Sequence, residues 1–138
     1  MNKHYISWEK VDKLVQYLVP YILTLPVTGI YGLSRGGLIP GVMLSHALNL
    51  PYYNTYRDGC LVVDDICDSG RTFHRIQSNV NAVFPEAHSL VYTATLHLRS
   101  TATYTPTVFA STINNDDWIV YPWEREDSKQ EKDGTPTD

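Results

Sequence analysis

The 138-residue chain is long enough for one domain with a single substantial core. Its 43% hydrophobic and 19% charged residues are ordinary for a globular protein, and no apolar run nears the roughly 20 residues that span a bilayer. The net charge of −4 is concentrated from Glu124 to Asp138, where six acidic residues face three basic ones, so the body is nearly neutral and offers no basic stripe for nucleic acid.

The opening "MNKHYISWEK" lacks the apolar core of a secretory signal, and a cytoplasmic location is expected. Ser7 can cap a helix whose apolar positions Val11, Leu14, Val15, Leu18 and Ile22 recur at helical spacing, with Pro20 kinking or ending it. Residues 27–33, "VTGIYGL", read as a strand that runs into "SRGGLIPG". Ile39, Val42, Met43 and Ala47 predict a helix after that loop, with Pro40 in its first turn, where the missing N–H is tolerated. "YYNTY" and "CLVVD" read as two further strands joined by the turn-forming "RDG". A helix is expected over 72–84, with Ile76, Val80 and Phe84 on one face, and "SLVYTATLHL", "TVFAS" and "WIVYP" supply later strands.

Near-continuous apolar strands alternating with helices predict an α/β domain built on a mainly parallel twisted sheet, over residues 1–124. Residues 125–138 carry no core pattern and are expected to be disordered. Cys60 and Cys67 do not form a CxxC pair and no histidine spacing completes a zinc set, so free thiols are expected. The five histidines, His4, His46, His74, His88 and His97, show no ligand spacing, and His97 falls nearest the candidate site.

In such sheets ligands bind beyond the carboxyl ends of the strands. Two loops qualify, "SRGG" at 34–37 and "DDICDSGRT" at 64–72. In the second, Gly70 permits a positive φ, Ser69 and Thr72 carry hydroxyls, and the following helix presents free N–H groups, a phosphate cradle. Asp64 and Asp65 suit either the two hydroxyls of a ribose or a hard divalent cation. An isolated cluster of this kind also occurs as a solvated cap, but the strand before it and the glycine turn after it favour a ribose phosphate. Asp68 stands apart as a candidate base.

"LVVDDICDSGRT" resembles the phosphoribosyl pyrophosphate (PRPP) motif of type I phosphoribosyltransferases, and "SRGGLIPG" is similar to the pyrophosphate loop of their purine members of the xanthine–guanine and hypoxanthine–guanine kind. The resemblance covers residues 27–124. It implies a type I phosphoribosyltransferase fold, Mg²⁺ as cofactor, PRPP and a purine base as substrates, and a homo-oligomer of at least two chains. It also implies a cis peptide between Ser34 and Arg35. Ser34, Arg35, Gly36 and Gly37 would then meet pyrophosphate, and Ser69, Gly70, Arg71 and Thr72 the 5′-phosphate. Asp64 and Asp65 would hold ribose and metal, while Asp68 would manage the proton at purine N7 as N9 attacks.

"NDDWIVYPWE", 115–124, resembles the base-binding end of the same enzymes, with Trp118 stacking on the base and the backbone of Ile119 facing its C2 substituent. Arg99 falls where these enzymes carry a lysine that reads the 6-oxo group; alternatively it is a surface residue. Cys67 replaces a usual aliphatic or small residue. The family's flexible hood is missing, since only residues 52–59 join Pro51 to Cys60. Tyr56 and Arg57 are the nearest substitutes for it. A regulatory protein that binds PRPP without catalysis is the alternative function.

Overall fold

The computed structural model describes residues 2–84 and 90–124; the tail expected to be disordered lies outside them. β1 (Lys3–Tyr5) leads into α1 (Trp8–Ile22), then β2 (Gly29–Gly32), α2 (Leu38–Leu48), β3 (Cys60–Cys67), α3 (Arg71–Val83), β4 (Tyr92–Arg99), β5 (Val108–Ile113) and β6 (Trp118–Val120). A single 3₁₀ turn follows at Pro122–Glu124.

β2, β3, β4 and β5 form a parallel sheet in that order, and β1 pairs with β6 in a second, two-stranded parallel ladder. The apolar run of β3 is continuous because both faces are covered. Leu61 and Val63 join the core under α1 and α2, whereas Cys60 and Val62 face α3. Both cysteines are free and buried.

The Ser7 hydroxyl accepts the Lys10 N–H at 3.0 Å and starts α1 as expected. Val11, Leu14, Val15, Leu18 and Ile22 are all buried, each burial contributing about 1.5–3 kcal/mol. Pro20 does not end this helix, which runs two residues further to Ile22. Only one intrahelical bond is lost to its missing N–H, and the last turn is closed by the Leu23, Thr24 and Leu25 N–H groups, which donate to the carbonyls of Val19, Tyr21 and Ile22.

Three local expectations are corrected. α2 buries Pro40, Gly41 and Leu44, while Val42 lies exposed; the helix is apolar all round, so periodicity could not choose its face. "YYNTY" contributes a single bridge, Tyr52 to Ile30, rather than a strand. β3 continues through both aspartates to Cys67, pairing Asp64 with Thr95 and Cys67 with Leu98.

Candidate active site

At the carboxyl ends of β2 and β3 the two predicted loops face each other. The peptide between Ser34 and Arg35 is cis. Gly36 lies directly against the Asp65 carboxylate, so that a methyl group there would overlap it. A cavity of about 560 Å³ is lined by Arg35, Gly36, Asp64, Asp65, Trp123 and Glu124 among others, a volume in the usual range for small-ligand sites. A smaller adjoining cavity is lined by Asp64, Asp68, Ser69, Gly70, Arg71 and Thr72. Asp64 borders both, so the two form one crevice. Ser34 is exposed and Gly37 buried beneath the loop.

The two strand-end carboxylates fold back on their own backbone. Asp64 Oδ1 accepts the Asp65 N–H at 2.9 Å, and Asp65 Oδ1 accepts the Ile66 N–H at 2.7 Å. Burial raises both pKa values; at Asp65, burial and then the Asp64 charge push it up to about 7. Neither carboxylate pairs with a basic side chain among the described residues. Two adjacent, desolvated carboxylates with unpaired oxygens are a donor set that fits a hard divalent cation.

Gly70 adopts φ +93°, which a side chain rarely tolerates, and its α-carbon packs against Tyr104. The Ser69 hydroxyl accepts the Arg71 N–H at 3.2 Å, and the Ser69 carbonyl accepts both the Thr103 N–H at 2.9 Å and the Thr103 hydroxyl at 3.1 Å. Tyr104 stacks on Phe73 with ring centroids 5.1 Å apart, and its hydroxyl lies 3.0 Å from that of Thr93. The segment between β4 and β5 thus braces the 68–72 loop from behind. Arg71, Thr72 and Phe73, the first turn of α3, line the smaller cavity, and a helix N-terminus favours an anion.

Arg99 ties the 64–72 loop to the segment before β6. Its Nε donates to Asp68 Oδ1 at 2.5 Å, Nη1 to the Asn115 carbonyl at 2.6 Å, and Nη2 to the Asp117 carbonyl at 2.9 Å. The Arg99 side chain is only 14% exposed, whereas that of Asp68 is 67% exposed. A guanidinium has five N–H groups, so two remain after these three bonds. Trp118 is 43% exposed, with the Lys3 ammonium 4.4 Å from its ring centroid. Ile119 is buried in the core and pairs with His4 in the β1–β6 ladder.

A scan against models of protein families finds no match. The xanthine-guanine phosphoribosyltransferase of Nitratidesulfovibrio vulgaris is 24% identical over 145 residues, which covers 88% of this chain and 84% of that one. The purine phosphoribosyltransferase of Pyrococcus horikoshii superposes with a TM-score of 0.75 at 26% identity, over 89% of this chain and 95% of that structure. The chain is similar to these purine phosphoribosyltransferases and has their parallel α/β fold. The xanthine-guanine-hypoxanthine phosphoribosyltransferase of Helicobacter pylori shares the phosphoribosyltransferase fold, with a TM-score of 0.78, 22% identity and coverage of 96% and 100% of the two chains.

The 52–59 connection stays short where the resemblance leads to the expectation of a hood. Ile30 donates its N–H to the Pro51 carbonyl, and Thr28 donates its own to that of Gly59, so the segment leaves and returns beside the first half of β2. Tyr56 packs on Phe84, ring centroids 6.2 Å apart, and the Arg57 guanidinium lies 4.2 Å from the Tyr53 ring centroid. Neither lines the crevice, which corrects the expectation that they replace the hood.

Two residues escaped the sequence reading. Tyr104 sits in an irregular segment whose composition says only "loop". Tyr121 is fully buried; its hydroxyl donates to the Asp65 carbonyl at 3.1 Å and lies 2.7 Å from His97 Nδ1. Its inward phase with Ile119, two residues earlier, was the available signal.

Proposed function

We propose that the protein transfers 5-phosphoribose from PRPP to N9 of a 6-oxopurine, releasing pyrophosphate. The observation that carries this reading is Arg99, which holds the Asp68 carboxylate and the 115–117 backbone on one side chain. A PRPP site alone has no need of that link. It fixes a proton acceptor at a set place relative to the plane where Trp118 would stack the base.

Backbone N–H groups over 69–72 and the start of α3 bind and orient the 5′-phosphate, while Arg35 and the Gly36–Gly37 backbone receive the pyrophosphate. Asp64 and Asp65 fix the ribose hydroxyls and hold Mg²⁺. When bound, the cation neutralises charge developing on the leaving pyrophosphate. Asp68, held by Arg99, keeps or takes the proton at N7 as N9 becomes nucleophilic. The two remaining Arg99 N–H groups favour an oxo acceptor at purine C6 over an amino donor. A second copy of the chain covering the crevice would exclude water that a hood otherwise keeps out.

The test is incubation with PRPP, Mg²⁺ and guanine, xanthine, hypoxanthine or adenine in turn, with the nucleotide product read by mass. Product from a 6-oxopurine and not from adenine is expected. PRPP binding without product from any base would sink the transfer reading and leave a PRPP-binding regulator.

A further inference from the structure

A second polar cavity, about 360 Å³, opens where β1, the first turn of α1, the end of β4 and the end of β5 meet. It shares no lining residue with the crevice. His4, Lys10, His97, Ser111, Thr112 and Asn115 contribute polar groups to its wall, and no acidic residue appears among its described lining residues.

His97 is only 3% exposed, and its protonation pattern follows from its partners. The Tyr121 hydroxyl has one proton and gives it to the Asp65 carbonyl. The 2.7 Å contact between that hydroxyl and His97 Nδ1 therefore requires Nδ1–H as donor. Burial, then the positive field of His4, Lys10 and Arg99, pushes the His97 pKa down to about 4, so the ring is neutral near pH 7. A neutral imidazole with its proton on Nδ1 leaves Nε2 as a bare acceptor. Nε2 has no hydrogen-bond partner among the described residues, although the ring lines the cavity.

The wall thus combines a cationic donor, hydroxyl and amide groups, and one buried acceptor. A metal cation suits Nε2 but meets the field of Lys10 and Arg99. A fully deprotonated anion suits Lys10 but meets a lone pair at Nε2. An anion that keeps one acidic proton satisfies both. We propose that this cavity binds a protonated tetrahedral oxyanion, an inorganic phosphate or a phosphate monoester, seated on the Lys10 ammonium with its O–H donated to His97 Nε2. Asn115, whose carbonyl holds Arg99, and Tyr121, whose hydroxyl holds Asp65, join this seat to the crevice. The proposal stands whether or not the chain transfers phosphoribose.

The experiment follows the side-chain nitrogen signals of ¹⁵N-histidine-labelled protein during titration with inorganic phosphate at neutral pH. His74 serves as an internal reporter of the crevice, because its Nε2 lies 3.1 Å from the Thr103 carbonyl and hydroxyl beside the Ser69 loop. The His97 Nε2 signal should move saturably toward the hydrogen-bonded position. In Lys10→Met its phosphate affinity should fall about tenfold or more, the loss of one charge-assisted hydrogen bond, while the His74 response is unchanged. Sulfate, which carries no proton at neutral pH, should bind the His97 seat about tenfold more weakly. Movement at His74 alone would place phosphate in the crevice only and overturn the proposal. So would an undiminished His97 response in Lys10→Met, or sulfate matching phosphate.

Discussion

Replacing Asp65 with asparagine should stabilise the metal-free protein increasingly as pH rises from mild acid to alkaline. Burial, with the Asp64 charge second, raises the Asp65 carboxyl from 3.8 to about 7. A group whose folded pKa exceeds its unfolded value favours folding while protonated. That contribution is complete below the unfolded value and gone above the folded one. At about 1.4 kcal/mol per unit it totals roughly 4 kcal/mol, of which roughly 2–3 kcal/mol disappears between about pH 5 and pH 8.

His97 has the opposite slope. Its pKa falls from 6.5 to about 4, so its contribution is present above the unfolded value and lost as pH drops. The two slopes oppose each other in mild acid, and the parent profile alone is uninformative. The difference between variant and parent isolates Asp65. Asparagine keeps an oxygen for the Ile66 N–H and nearly the same shape. The variant should therefore exceed the parent by roughly 1–2 kcal/mol near about pH 5 and by roughly 4 kcal/mol near about pH 8, a difference that grows by roughly 2–3 kcal/mol between them. Urea unfolding at the two pH values, with divalent cations chelated, measures this. A difference that does not change with pH would refute the desolvation account.

Saturating Mg²⁺ should raise the urea midpoint of the parent near neutral pH and do so far less for Asp65→Asn. Asp68→Asn should keep PRPP affinity within a few fold while turnover falls about 10²-fold or more, checked by PRPP titration beside single-turnover kinetics; unchanged turnover would remove Asp68 from its role. Arg99→Lys cannot reach Asp68, Asn115 and Asp117 together, so the KM for base should rise and thermal stability fall by about 1–3 kcal/mol, both read on the purified variant. Tyr121→Phe strips the Asp65 carbonyl and His97 Nδ1 of their partner at once, and chemical denaturation should show a loss of about 1–3 kcal/mol.

Much of this was legible in the sequence because it is local. The cradle at 68–72 needs a positive φ, hydroxyls and a helix start within five residues, and chain order displays that combination. α1 announced itself through Ser7 and five buried positions at helical spacing. What stayed hidden depends on distant segments. β1 is three residues long, and "KHY" has no alternation to mark it; it becomes a strand only through Trp118, Ile119 and Val120. The face of α2 is decided by what packs on it, and an all-apolar sequence carries no preference. Arg99 was placed as a reader of the base, yet its threefold grip on Asp68, Asn115 and Asp117 depends on the approach of β3 and of the turn before β6. Tyr121 shows the same limit, since a phenol reads as core until the buried carbonyl and imidazole beside it are known.

The β1–β6 ladder ties residues 3–5 to residues 118–120, and that has a consequence for assembly. The two facing loops at 34–37 and 64–72, which follow β2 and end β3, can be in place before β6 has been made. β6 must then close a loop of more than a hundred residues, an entropic cost that grows only with the logarithm of its length. Parallel pairing across such a span forms slowly, because the cost precedes the contacts. On the proposed function, phosphate recognition would thus be built early from neighbouring segments, and base recognition completed last. A chain shortened through Tyr5 would keep the four-stranded sheet and both phosphate loops while Trp118 lost the strand that positions it.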